Sequence, residues 1–246
     1  MSGTGHNFRN SPCCAHSPNL PLPEIPSFAC AQLGRYNSPM PCPLCHGDDL
    51  TELTPRYALC AACGLAHLDP AQRLARDAEL AHYRTHENEP ADARYRAFLD
   101  RLAVPLTQRI APPACGLDYG SGPGPTLSAM LAERGYDMAI YDPFFAPDPA
   151  PLRQRYDFIT CTETAEHFHD PAAEFARLGA MLRPGGWLGV MTQLFQPAAV
   201  DFAKWWYARD PTHVVFYQRR TMRWIADRFG WGVEFEGETV VLFHKA

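Results

Sequence analysis

Apolar and polar positions change period several times along the 246 residues, and each change marks an element. Between residues 71 and 112, apolar side chains recur at steps of three and four, as in Tyr95, Phe98, Leu99, Leu102 and Leu106. That spacing puts them on one helical face. AQRLARDAELAHYRTHE (71–87) and ARYRAFLDRLAVPLTQRI (93–110) are therefore read as helices, closed by Pro112-Pro113. Beyond Pro113, short apolar runs alternate with helical ones. CGLDY (115–119), DMAIYD (137–142), YDFITCTE (156–163) and WLGVMTQLF (187–195) read as strands, and TLSAMLAERG (126–135) and PAAEFARLGAML (171–182) as helices. This β-α-β order predicts a parallel sheet covered by helices on both faces. The end differs: TMRWIADRFG (221–230) reads as a helix, followed by strands GVEFEG and ETVVLFHK around Gly237. A closing antiparallel strand is compatible with that tail.

Residues 1–39 break every period. They carry six prolines with many Ser and Asn, and cannot bury enough surface to offset the entropy of ordering, so a disordered tail is expected. The chain as a whole has globular composition, with 46% hydrophobic and 12% aromatic residues. A formal net charge of −5 argues against a general nucleic-acid or membrane surface. No apolar run approaches the roughly 20 residues that span a bilayer, and the N-terminus lacks a signal-peptide pattern. The expectation is a soluble cytoplasmic protein.

Four of nine cysteines form CPLC (Cys42, Cys45) and CAAC (Cys60, Cys63), with fourteen residues between the pairs. Two such turns set four thiolates around one tetrahedral ion, with zinc favoured over iron. A structural role is expected, because the metal folds about 30 residues that lack a core of their own. Cys115 and Cys161 lie in apolar strands and read as core thiols, while Cys13, Cys14 and Cys30 receive no role. His82 and His86, four apart without a nearby acid or thiol, read as a polar helix face.

LDYGSGPGPTL places Gly120, Gly122 and Gly124 between the first parallel strand and its helix. Glycines there let the backbone approach a ligand and leave helix N-terminal amides free for an anion. Pro125 departs from the dinucleotide fingerprint. The turn, with Asp118 two residues upstream, instead resembles motif I of class I S-adenosylmethionine-dependent methyltransferases. The resemblance continues through IYDPFF, where Asp142 occupies the position of the family's ribose-binding acid, YDFITCTETAEHF, MLRPGGWLGV and DPTHVVFYQRRTMRWI. It implies a Rossmann-like α/β domain over 114–246, preceded by a helical connector or cap (71–113) and a four-cysteine zinc-ribbon-like module (40–70). It also implies S-adenosylmethionine as cofactor, with Asp118, Gly120, Ser121, Gly122, Gly124, Asp142 and Thr162 around it. Only thirteen residues separate Asp142 from the next strand, so the family's third strand and helix are expected to be missing or reduced. Phe144 and Phe145 are then the candidates for adenine contact.

Glu163, Glu166, His167 and His169 crowd the end of the YDFITCTE strand. A helix starting near Thr162 would put Glu163, Glu166 and His167 on one face. Joined by His213 from DPTH, they could hold Mg²⁺ or another divalent ion, as some relatives with this motif do; they could act as acid and base without metal; or they could be structural. Trp205, Trp206 and Tyr207 suggest a lid, with at least one of them packing only. The expected reaction is methyl transfer to a small-molecule acceptor, most simply at oxygen. An RNA methyltransferase gripping its substrate with the knuckle, and a non-catalytic cofactor-binding scaffold, remain the alternatives.

Overall fold

The computed structural model describes residues 41–85, 89–197 and 200–246. The expected tail, Cys13, Cys14, Cys30 and His86 lie outside them. The two CxxC turns are built alike. Cys42 N donates to Gly47 O and Cys60 N to Leu65 O, while His46 N returns to Cys42 O and Gly64 N to Cys60 O, all at 2.9 Å. The residue after each second cysteine takes a left-handed conformation, His46 at φ 60° and Gly64 at φ 79°. A Cβ on Gly64 would also lie 2.3 Å from Arg220 Nε, so glycine suits that position on two counts.

Strands β1 (Leu50–Thr54), β2 (Tyr57–Cys60) and β3 (Ala66–Leu68) form a small antiparallel sheet. Helix α1 (Arg76–Tyr83) is shorter than the expected 71–87, because Pro70–Gln72 forms a separate 3₁₀ turn. Helix α2 (Ala93–Thr107) begins where Asp92 accepts the Arg94 amide at 2.8 Å. Next come β4 (Cys115–Tyr119), α3 (Thr126–Glu133), β5 (Asp137–Tyr141), β6 (Tyr156–Thr162), α4 (Pro171–Met181) and β7 (Leu182–Met191). The chain closes with β8 (Val215–Phe216), α5 (Arg219–Phe229), β9 (Trp231–Glu236) and β10 (Val240–Lys245).

The large sheet has the order β5-β4-β6-β7-β10-β9. Its first four strands are parallel, and β10 runs antiparallel to both β7 and β9. This is the expected Rossmann-like arrangement. Period-two alternation splits its side chains between two cores. Val240 and Leu242 join α2 and α3 on one face, whereas Val241 and Phe243 join α4 and α5 on the other. Helix α2, read from the sequence as connector or cap, therefore covers the sheet. Gly189 of β7 makes room for it, since a Cβ there would sit 2.8 Å from Leu102.

Two features position the site. Between β5 and β6 the chain forms one 3₁₀ turn, Pro151–Arg153, so β5 is the sheet edge. The small sheet also takes a fourth strand from the far end of the chain: β8 pairs antiparallel with β3, Ala66 opposite Phe216 and His67 opposite Val215. A two-residue strand has no readable period, and the sequence did not reveal this pairing.

Leu102→Ala should cost about 2–5 kcal/mol in denaturant unfolding. A loss under about 1 kcal/mol would show that α2 is a loosely attached cap rather than part of the core.

Candidate active site

A cavity of about 650 Å³ opens at the carboxyl ends of β4, β5 and β6. Ligands in such open sheets sit at this edge. The loops after those strands form its floor, with α1 and α2 contributing Tyr83, Tyr95 and Phe98 and the 206–213 segment closing one side.

On the glycine side, Gly120 (φ 80°) and Gly122 (φ 65°) both need left-handed backbone. A Cβ on Gly120 would lie 2.3 Å from Thr164, so this turn packs directly on the loop after β6. Asp142 organises the neighbouring loop: Oδ1 accepts the amides of Phe144 (2.8 Å) and Phe145 (2.9 Å), and Oδ2 accepts that of Gly122 (3.0 Å). One Oδ2 lone pair is left over. Ser121 Oγ and Thr162 Oγ1, on residues lining the cavity, are buried without partners. These unpaired groups are what a polar ligand would satisfy. Two expected residues stand apart from the wall. Asp118 points to the other face of the sheet, where Thr160 Oγ1 (2.9 Å) and Ser128 Oγ (3.0 Å) donate to it. Burial pushes its carboxyl up to about 6. Its observed work is to tie α3 to β4 and β6, not to face the cavity. The carbonyl of Gly124 accepts Thr126 N at 2.7 Å and starts α3.

The acidic stretch differs from expectation in a specific way. No helix starts at Thr162. The β6–β7 ladder continues one step further through Glu163 N to Met191 O (2.8 Å), Glu163 turns at φ 46°, and only a 3₁₀ turn, Ala165–His167, follows. Glu163 and Glu166 converge instead on Tyr207. Its hydroxyl donates to Glu166, lies 3.3 Å from Glu163 Oε2 and is 3.1 Å from Thr192 Oγ1. Burial, reinforced by the Glu166 charge, pushes the Glu163 carboxyl up to about 9, so it is protonated at neutral pH. One phenolic hydrogen cannot serve two carboxyls. The proton of Glu163 therefore donates to the phenol oxygen, while the phenol donates to Glu166.

The histidines are fixed as firmly. His167 Nδ1 lies 3.0 Å from Thr212 O, and His213 Nδ1 lies 2.8 Å from Tyr207 O. A carbonyl only accepts, so both hydrogens sit on Nδ1 and both Nε2 lone pairs are free. The rings are edge-on with centroids 4.8 Å apart. Burial lowers the His213 pKa below the ordinary imidazole value, which favours its neutral form. Glu166, whose Oε2 is buried and unpartnered, and the two histidines each offer an atom within 4.8 Å of the others. This set is two nitrogens and one oxygen, without Glu163. It suits zinc or iron better than Mg²⁺, which prefers oxygen ligands, so the Mg²⁺ expectation is not supported.

Asp210 was not anticipated. Its Oδ2 is 3.9 Å from His213 Nε2 and 3.2 Å from His82 Nε2. The expectation of a merely polar surface at His82 is thereby corrected: it links α1 to the rim of the site. Of the three adjacent aromatics, Trp205 packs against Phe195, Phe202 and Phe216, Trp206 is 64% exposed and lines the cavity, and Tyr207 is the buried hub. At the module, the four sulfurs also lie within 4.8 Å of one another, and Gly47 N donates to Cys45 Sγ at 3.4 Å. This is a donor set for one tetrahedral ion.

A family model described as a methyltransferase domain matches residues 80–234, more than half of the chain. The chain belongs to this methyltransferase family. A ubiquinone biosynthesis O-methyltransferase of Stutzerimonas stutzeri (strain A1501) is 28% identical over 102 residues, covering 42% of this chain and 44% of that protein. One from Saccharophagus degradans (strain 2-40) is 33% identical over 92 residues, covering 36% and 37%. The chain thus spans less than half the length of each of these curated relatives. Among solved structures, Burkholderia thailandensis 1,6-didemethyltoxoflavin-N1-methyltransferase, with bound 1,6-didemethyltoxoflavin and S-adenosylhomocysteine, has the same fold. It superposes with TM-score 0.51 at 15% identity, over 80% of this chain and 99% of that one. Residues 80–234 are thus a methyltransferase domain. No helix among its described residues is long and apolar enough to cross a membrane.

The buried carboxyl pair makes the stability of the methyltransferase depend on pH. Glu163 titrates near 9 when folded against an ordinary value of 4.5, so the folded state holds the extra proton between these limits. Its contribution is fully present below about 4.5 and is lost as pH rises through about 9. Glu163→Gln should flatten that decline in denaturant midpoints measured from pH 5 to 9; an unchanged slope would mean that Glu163 is ionised at neutral pH.

Proposed function

We propose that the enzyme transfers the methyl group of S-adenosylmethionine to a hydroxyl oxygen of a small-molecule acceptor. The observation that carries this reading is that His167 and His213 both line the cavity and each spends Nδ1–H on a backbone carbonyl, which leaves the Nε2 lone pair unused. A hydroxyl is a poor nucleophile until its proton is removed, and a neutral imidazole beside it is a suitable base. The relatives' O-methyltransferase names agree. A cavity of about 650 Å³ lies within the small-molecule range of roughly 300–1,000 Å³, and the formal charge of −5 does not favour RNA.

The cofactor supplies an electrophilic sulfonium methyl, and the chain supplies placement. Asp142 Oδ2 keeps a lone pair for a ribose hydroxyl, and the close-packed Gly120–Gly122 turn lets the nucleoside lie against backbone. Ser121 and Thr162 offer their unpaired hydroxyls to its polar groups. Glu166, held by Tyr207, lies near His213, where its charge favours uptake of the acceptor proton against the opposing effect of burial. Zinc at Cys42, Cys45, Cys60 and Cys63 would hold the small sheet together. A second divalent ion on Glu166, His167 and His213 is the other reading of that cluster, favoured by the unpartnered Glu166 oxygen. Metal content of the purified protein separates the two: one ion per chain assigns the cysteines alone, and two assign both sets.

Asp142→Ala should weaken S-adenosylhomocysteine binding at least tenfold, about 1.4 kcal/mol by calorimetry. Unchanged affinity would remove Asp142 from the ribose site. His167→Ala and His213→Ala should keep that affinity while radiolabelled methyl transfer to a panel of phenols falls by roughly 10²–10⁴. Transfer to amines but not to hydroxyls by the unaltered enzyme would reject the oxygen reading.

A further inference from the structure

Among the described residues, the hydrogen bonds from the four-cysteine module to the catalytic domain cluster at 213–220, the segment that carries His213. Tyr57 of β2 donates its hydroxyl to the carbonyl of His213 itself, at 3.1 Å. Leu68 N, at the end of β3, donates to Val214 O at 2.8 Å, and the β3–β8 ladder continues through Val215 and Phe216. Gln218 Nε2 then donates to Gly64 O at 2.8 Å, and Arg220 Nη1 to Ala61 O at 3.2 Å. The same strap is tied on its other side to the acidic turn, because Val214 N donates to Glu166 O at 2.8 Å. Val214 is thus one peptide step from each: its carbonyl is held by the module and its amide by the residue that faces both imidazoles.

The cofactor side is supported differently. Gly120 and Ser121 hang on Tyr141 O, and Gly122 and the Phe144–Phe145 loop hang on Asp142. Among the hydrogen bonds of the described residues, none runs from 41–68 to those groups. The strands that make the link are very short, three residues in β3 and two in β8. Pairings of that length do not persist on their own, so their persistence depends on what fixes the ends of the module. Those ends are the two knuckles, whose thiols meet around one point.

We infer that the cysteine module is the positioning element for His213, holding that imidazole on the acceptor side of the site through Tyr57 and the β3–β8 pairing. Tyr57 is accordingly a positioning residue that acts through the His213 carbonyl. The module thereby has a part in the reaction beyond folding its own segment, and its thiolate chemistry is linked to one half of the active site. The inference rests on the proposed role of His213 in transfer, and the two fail differently. His213→Ala without effect on transfer removes the role, whereas the experiment below tests only the coupling.

The full-length protein, labelled with ¹⁵N-histidine, is compared as wild type, Tyr57→Phe and Cys60→Ser at one pH. Two quantities are read: the ring resonances of His213, and affinity for S-adenosylhomocysteine by calorimetry. His213 faces Glu166, His167, Asp210 and Tyr207, so a displacement of its ring alters its resonances without any change in ionisation. Both variants should shift the His213 resonances away from wild type while the ligand Kd stays within about twofold. Coincident His213 resonances in Tyr57→Phe would overturn the inference. So would a Cys60→Ser variant whose ligand affinity falls together with the His213 change, since the module would then support the whole domain. If Cys60→Ser does not fold, Tyr57→Phe decides alone, because it removes one hydroxyl and no packing volume.

Discussion

Everything in the site depends on parallel strand ends reaching one edge together. Because β4, β5 and β6 run in the same direction, the turns that leave them at Gly120, Asp142 and Glu163 must all lie at that edge. The hydrogen bonds between these turns then fix their geometry. Gly122 N reaches Asp142, and Thr164 Oγ1 reaches Gly120 O at 3.3 Å. The same ladder forces Glu163 into left-handed backbone, since its amide must serve Met191 before the chain can turn away. Left-handed backbone at a residue with a side chain, beside polar groups that have no protein partner, is what distinguishes a binding edge from an ordinary loop.

Around that edge, charge is managed by burial at Glu163 and by pairing at Asp210, which lies 3.2 Å from His82 Nε2. Glu163, Glu166 and Tyr207 meet through hydrogen bonds, and burial together with the Glu166 charge pushes the Glu163 carboxyl pKa up. The imidazoles are fixed in the same local way, because each spends its N–H on a backbone carbonyl. The outcome is an acceptor side with hydrogen-bond acceptors in place.

Local features of this design were legible in the sequence, and distant ones were not. The glycine turn, the Asp142 loop and the CxxC turns could be located because each is built by neighbours within a few residues. The strands were readable from alternation, and the antiparallel finish from Gly237. The helix expected at Thr162 failed because acids and a histidine at steps of three and four imitate a helical face, whereas the ladder with β7 decides the backbone there. The contacts of Asp118 with Ser128 and Thr160 were hidden for a related reason: motif position says nothing about which face of a strand a side chain takes. Tyr207, Asp210 and His82 act across long stretches of chain, and no local pattern announces such contacts. The pairing of β3 with β8 lies furthest from view, joining residues about 150 positions apart through a strand of two.

The edge position of β5 bears on how this scaffold can change. Residues 143–155 close the cavity beside Phe144 with little more than a 3₁₀ turn, and they cross no core layer. Arg76 reaches over from α1 to cover them, its guanidinium 4.3 Å above the Phe144 ring. Lengthening or replacing this loop would leave the strands and both cores in place, so it is where the chain can evolve a different ligand enclosure at small cost to folding.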